Sequence, residues 1–92
     1  MTKNDFKELS INELKGDLLK ALWYDAHDKW EEAHEVVQAH EGKSAYDRIH
    51  AYLHRKEGDK FNAGWWYRRI GMTFPQISLD EEWEELLQEF YL

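Results

Sequence analysis

Apolar residues recur along this chain at helical spacing. Leu14, Leu18, Ala21 and Leu22 fall on one stripe of a 3.6-residue period. Ser10-Ile11-Asn12-Glu13 precedes them as a capping box, with Leu9 and Leu14 at the staple positions. The pattern predicts a helix from this box to about Ala26, weakened by about 1 kcal/mol where Gly16 replaces a better helix former. His27-Asp28-Lys29 is polar and reads either as a tight turn or as part of one long helix. Trp30, Ala33, Val37 and His40 stripe a second helix that Gly42 stops. Ser44-Ala45-Tyr46-Asp47 opens a third, with Tyr46, Ile49, His50 and Leu53 on one face and Gly58 at its end.

Asp59 caps a fourth helix carrying Ala63, Trp66, Tyr67 and Ile70, closed by Gly71. Phe74-Pro75 is a loop, because Pro pushes the preceding residue out of the α region. Ser78-Leu79-Asp80-Glu81 is a second capping box, opening a fifth helix striped by Trp83, Leu86, Leu87 and Phe90. Asp80, Glu81, Glu82, Glu84, Glu85 and Glu89 are assigned to its solvent side, three of them in the first turn where the helix dipole favours acids. The expected architecture is all-α: two stacked helical hairpins and a C-terminal capping helix within a single domain spanning 1–92.

Composition narrows the chemistry. The 92 residues allow one small core. Cysteine is absent, which removes disulfides, thiolate nucleophiles and Cys-based zinc sites. The polar start Met1-Thr2-Lys3-Asn4-Asp5 lacks a signal core, and no apolar run approaches a membrane span, so a membrane role is not expected. A net charge of −7 disfavours nucleic acid as a partner. The three serines all fall at expected helix caps, which leaves Thr2 and Thr73 as the remaining hydroxyls of that kind and disfavours a serine hydrolase.

The caps Ser10, Ser44 and Ser78 are spaced by 34 residues, and a second register of 30 pairs Ala21 with Ala51, Ala33 with Ala63, and Val37 with Tyr67. Ala51, the Gly58-Asp59 turn, Ala63, Tyr67 and Pro75 together resemble the tetratricopeptide pattern, with departures at His54 and Ile70. The resemblance implies hairpins that stack because a lone hairpin cannot hide both faces. A second likeness is carried by His50-Ala51-Tyr52-Leu53-His54-Arg55-Lys56-Glu57-Gly58-Asp59, Asn62-Ala63 and Trp66-Tyr67-Arg68-Arg69, with Ala33-His34 before and Glu82-Trp83 after. This run resembles a signature of small uncharacterised bacterial proteins. It implies a bacterial, cytoplasmic helical protein and transfers no activity.

Charge is segregated: residues 1–42 sum to −5, residues 43–69 to +4 and residues 70–92 to −6. One expectation is simple packing of acidic helices on the basic hairpin. The other is an anion-binding face built from Arg55, Arg68 and Arg69, since guanidinium forks fit carboxylates and phosphates. An Arg55–Asp59 contact is expected to tie the hairpin tip. His50 and His54 share a helix face, with Glu57 following and His34 within reach on the previous helix. Hydrogen-bonding roles are the first reading of these histidines. His34, His50, His54 and Glu57 are the alternative metal-ligand set, although the His-Glu-x-x-His arrangement is absent. Successive helical residues point about 100° apart, so Trp65, with Phe61, defines a second apolar face on the fourth helix. That helix is expected to be sandwiched between two neighbours; otherwise Trp65 with Arg68 and Arg69 forms an aromatic–cationic surface.

The function expected from sequence is therefore a non-catalytic binding module for a protein, peptide or small anionic ligand, using His50, His54, Arg55, Trp65, Arg68 and Arg69, with no cofactor. The alternatives are a small metal-dependent or acid/base enzyme and a structural homo-oligomer.

Overall fold

The computed structural model describes residues Met1–Leu92 and contains helices and no strand. α1 spans Lys3–Lys7, and a 3₁₀ turn covers Ile11–Glu13. α2 runs Asp17–Ala26, α3 Trp30–Ala39, α4 Ser44–Lys56, α5 Lys60–Arg69 and α6 Leu79–Phe90. Each of α2 to α4 packs on its successor, and α6 lies across α4 and α2. The radius of gyration is 12.2 Å.

The helix ends explain this connectivity. At the end of α2, Asp28 N–H donates to the Asp25 carbonyl at 3.0 Å and Lys29 N–H to the Tyr24 carbonyl at 2.9 Å. These are the paired bonds of a Schellman stop, and Asp28 holds the left-handed position at φ 58°. The polar His27-Asp28-Lys29 segment is thus a turn. Gly58 and Gly71 occupy the equivalent position after α4 and α5. Asp59 caps α5, its carboxylate accepting from Asn62 N–H at 3.1 Å, and Ser78 caps α6 through the expected box.

Two helix starts differ from expectation. The Ser10–Glu13 box forms, but it organises only the 3₁₀ turn; Gly16 at φ 89° then breaks the chain before α2 begins at Asp17. Ser44 is the first residue of α4 rather than its cap, and Asp47 serves the turn instead by accepting from Gly42 N–H at 3.1 Å. The 34-residue cap spacing therefore does not mark equivalent helix starts. The 30-residue pairs do occupy matching environments: Ala21 and Ala51, Ala33 and Ala63, Val37 and Tyr67 are all fully buried.

Two features of the ends were not expected. Thr2 and Asp5 form a capping box that starts α1, and Phe6 is driven into the core. There its ring meets Trp83 at 5.7 Å and Tyr91 at 5.3 Å, both edge-on, which joins the two ends of the chain. The main core combines Phe6, Leu22, Val37, Ile49, Tyr52, Leu53, Trp83, Leu86 and Leu87. A smaller cluster of Ala51, Ala63, Trp66 and Tyr67 cements α4 to α5.

The acidic side of α6 also differs from expectation. Glu82 is fully buried rather than solvent-facing. Its Oε2 accepts from Arg48 Nη1 at 2.6 Å and from the Tyr67 hydroxyl at 2.5 Å, and its Oε1 accepts from Arg55 Nη1 at 2.7 Å. Arg55 also donates to the Ile77 carbonyl. One carboxylate thus joins α6, α4 and α5, and the expected docking of acidic on basic elements occurs through a desolvated cluster. The Tyr67 hydroxyl is pushed far above its ordinary pKa, first by burial and then by this hydrogen bond to Glu82.

Candidate functional site

Two groups of residues singled out by their chemistry come together around α5 and its contact with α4. The outer group is an edge. α5 packs substantially on α4 alone. Its inward residues Ala63, Gly64, Trp66 and Tyr67 are buried, whereas Phe61 is 85% exposed and Trp65 45% exposed. The expected sandwich is therefore wrong: α5 is an edge helix, and its second apolar face meets solvent. The reason is topological, since α6 crosses α4 and α2 and leaves the far side of α5 uncovered. Phe61, Trp65 and Arg68 follow one another at helical spacing on this edge, and Lys60, Arg68 and Arg69 are exposed around them. The Arg69 guanidinium lies over both Trp65 and Trp66, 5.3 and 5.2 Å from their ring centroids. It also reaches back towards Asp47 at 3.9 Å.

Arg55 does not belong to this edge. Its guanidinium is committed to Glu82 and Ile77 and sits over Phe74, and it makes no tie with Asp59, which instead caps α5. The anion-binding face expected from Arg55, Arg68 and Arg69 is therefore reduced to Arg68 and Arg69, joined by Lys60. The sequence offered no distinction among these cations, because which one is neutralised depends on where α6 crosses.

The inner group is a histidine cluster behind Trp66. His50 and His54 are 3% and 7% exposed, on the α4 face towards α3 and α5. They are not part of the accessible surface expected of them. His34 of α3 meets them, its Nε2 standing 3.1 Å from Nε2 of His50. One ligand-type nitrogen from each of the three rings lies within 4.8 Å of the others. Aromatic rings wall the cluster: Trp30 stacks on His34 at 4.8 Å and 9°, and Trp66 on His50 at 4.0 Å and 24°. Trp30 is itself fixed by donating its indole N–H to the Leu53 carbonyl at 2.8 Å.

The hydrogen bonds assign roles to the nitrogens of His54. Nδ1 stands 3.2 Å from the Glu57 carboxylate, and Nε2 stands 3.4 Å from the Asn62 side-chain amide. A carboxylate only accepts, so Nδ1 carries the proton and Nε2 the lone pair. Nδ1 of His50 is buried with no partner. The His50 pKa is pushed down to about 3, first by burial, then by His54, His34 and Arg69. His34 is lowered for the same leading reason, with Glu57 and Glu35 opposing. Of the four sequence-selected metal ligands, His34, His50 and His54 thus converge, whereas Glu57 contacts His54 outside that group.

The cluster can accept a cation. The hydroxyls of Thr2, Ser10 and Ser78 accept backbone N–H groups at helix caps. The surface cavities lie elsewhere, one lined by Arg55, Lys60, Phe74 and Ile77, another by Arg48, Met72, Glu85 and Phe90. No helix is long and apolar enough to cross a membrane. No family model, curated protein or solved structure matches the chain.

Proposed function

We propose that the protein is a non-catalytic interaction module that binds an acidic segment of a partner protein along the outer edge of α5. The observation that carries this reading is the exposure of Phe61 and Trp65 on a helix face with no helix over it, ringed by Lys60, Arg68 and Arg69. An isolated exposed aromatic is ordinary, but two at successive helical turns, with cations beside them, supply both parts of a contact surface. The aromatic rings offer area at low entropic cost, and the arginines offer forked donors to carboxylates. The edge is cationic within a chain of net charge −7, so an acidic segment is attracted there and repelled by α6, which fixes where it docks. The reading keeps the tetratricopeptide-like stacking of hairpins and the bacterial, cytoplasmic setting implied by the sequence resemblances.

The test is fluorescence anisotropy with a labelled peptide alternating Glu with Leu or Phe, and a Lys-for-Glu version as control. The acidic peptide is expected to bind with an affinity that falls as salt rises. Trp65→Ala combined with Arg68→Glu is expected to weaken it at least about tenfold, the loss of one well-placed contact of about 1.4 kcal/mol. Equal binding of both peptides, or no effect of the double substitution, would overturn the proposal.

A further inference from the structure

We propose that His34, His50 and His54 form a three-nitrogen site for a divalent transition-metal ion of the zinc class, held between α3 and α4. Three observations converge on it.

The first is placement. Zinc binds imidazole nitrogen at about 2.0–2.1 Å, and a tetrahedral site therefore spaces its nitrogens by roughly 3.3 Å. The His34–His50 nitrogen pair is already 3.1 Å apart, and the third ring brings a nitrogen within 4.8 Å of both. A modest rotation of the His54 ring closes the remaining gap. Two of the ligands come from one face of α4 at i and i+4, so the helix itself presets their separation.

The second is the arrangement behind the ligands. Glu57 accepts from Nδ1 of His54, which leaves Nε2 with its lone pair. This is the carboxylate–histidine arrangement that orients a metal-binding imidazole and raises its basicity. The Asn62 amide, at 3.4 Å from that nitrogen, makes a long contact that an ion would replace. Trp30 and Trp66 hold the faces of His34 and His50 and exclude bulk water.

The third is an incomplete set of hydrogen bonds. A buried polar atom is almost always paired, yet Nδ1 of His50 has no partner in a residue 3% exposed to solvent. The chain supplies no group for it. An ion bound at that nitrogen completes the set from outside, whereas one bound at Nε2 replaces the His34 contact and leaves Nδ1 as an N–H donor without an acceptor. The imidazoles need little deprotonation near neutral pH, since burial disfavours their charged form.

Nitrogen donors without cysteine select zinc, cobalt, nickel or copper over magnesium or calcium. The nearby charges are Glu57 and Glu35, which favour a cation, and Arg69, which opposes one. His34 is the least buried ligand, so the open coordination position faces solvent on its side. The site does not depend on the α5 edge, and either proposal can fail without the other.

Cobalt(II) and zinc(II) are the probes, added to chelator-treated protein. One cobalt per chain is expected to bind with the intense visible absorption of a four-coordinate ion, and zinc is expected to displace it. His34→Gln and His54→Gln are each expected to abolish that absorption, with circular dichroism confirming the fold. Glu57→Gln, at an exposed position, is expected to weaken zinc binding about 10–100-fold. His40→Gln lies outside the cluster, where His40 meets Asp17, and is expected to change nothing. The proposal is overturned by absence of one-to-one binding. It is equally overturned if His40→Gln weakens binding as much as His34→Gln, or if Glu57→Gln leaves the affinity unchanged.

Discussion

Replacing Glu82 by Gln probes the strongest structural claim, that one buried carboxylate locks α6 to the α4–α5 hairpin. The side chain keeps its size but loses its charge and one of its acceptor oxygens. Arg48 and Arg55, whose side chains are 7% and 14% exposed, are left facing a neutral amide whose NH₂ can only donate. Breaking a buried ion pair by removing one partner costs about 3–5 kcal/mol, because the stranded charge has no water to turn to. A domain of this length has roughly 5–14 kcal/mol of total stability, so the change removes a large share. At about 4–8 °C per kcal/mol for a small domain, the melting temperature is expected to fall by about 20 °C. Urea denaturation followed by circular dichroism measures the loss. Tyr67→Phe, which deletes only the hydroxyl bond to Glu82, is expected to cost about 1.5–3 kcal/mol. Glu84→Gln, on the exposed side of α6, is expected to stay within about 0.5 kcal/mol of the parent. Added salt should leave the Glu82→Gln difference intact, since screening acts weakly on a buried pair. A loss below about 1 kcal/mol, or one no larger than that of Glu84→Gln, would refute the reasoning.

Three further outcomes are expected. In the presence of chelator, stability should decline as pH falls below about 6.5, because the unfolded chain then takes up protons that His50 and His34 refuse when buried. The His50 contribution is fully present above pH 6.5 and is lost down to a pH of about 3, so by pH 5 the loss should amount to about 2 kcal/mol, and His50→Gln should flatten that slope in denaturant titrations. Phe6→Ala should cost about 3 kcal/mol in urea unfolding, as expected for emptying a fully buried aromatic site; a negligible change would show that α1 contributes nothing to the core. Asp28→Gly should raise stability by about 0.5–1 kcal/mol by relieving a left-handed conformation, read as a higher urea midpoint with an unchanged slope.

What the sequence determined by itself is local. Helical spacing of apolar residues, the Ser78 box, the Asp59 cap and the glycine stops at Gly58 and Gly71 each act within one turn, and each appears where short-range chemistry puts it. The clustering of His34, His50 and His54 was legible because two of them share a helix face and a short hairpin brings the third alongside. Signals of the same kind stood unused: Thr2-Lys3-Asn4-Asp5 as a cap for α1, and Glu82 standing on the apolar stripe of Leu79, Trp83 and Leu86. Gly16 was ambiguous, because a glycine within a helical pattern can be a weak interior residue or a break, and only its φ of 89° separates the two.

Tertiary structure decided the rest, through the path of α6. By crossing α4 and α2 it buried Glu82 against Arg48 and Arg55, withdrew Arg55 from the surface, and left Phe61 and Trp65 uncovered on α5. Periodicity says which side of a helix is apolar, but not whether another helix will arrive to cover it. A charged side chain likewise reads as solvent-facing until packing brings it a partner strong enough to replace water.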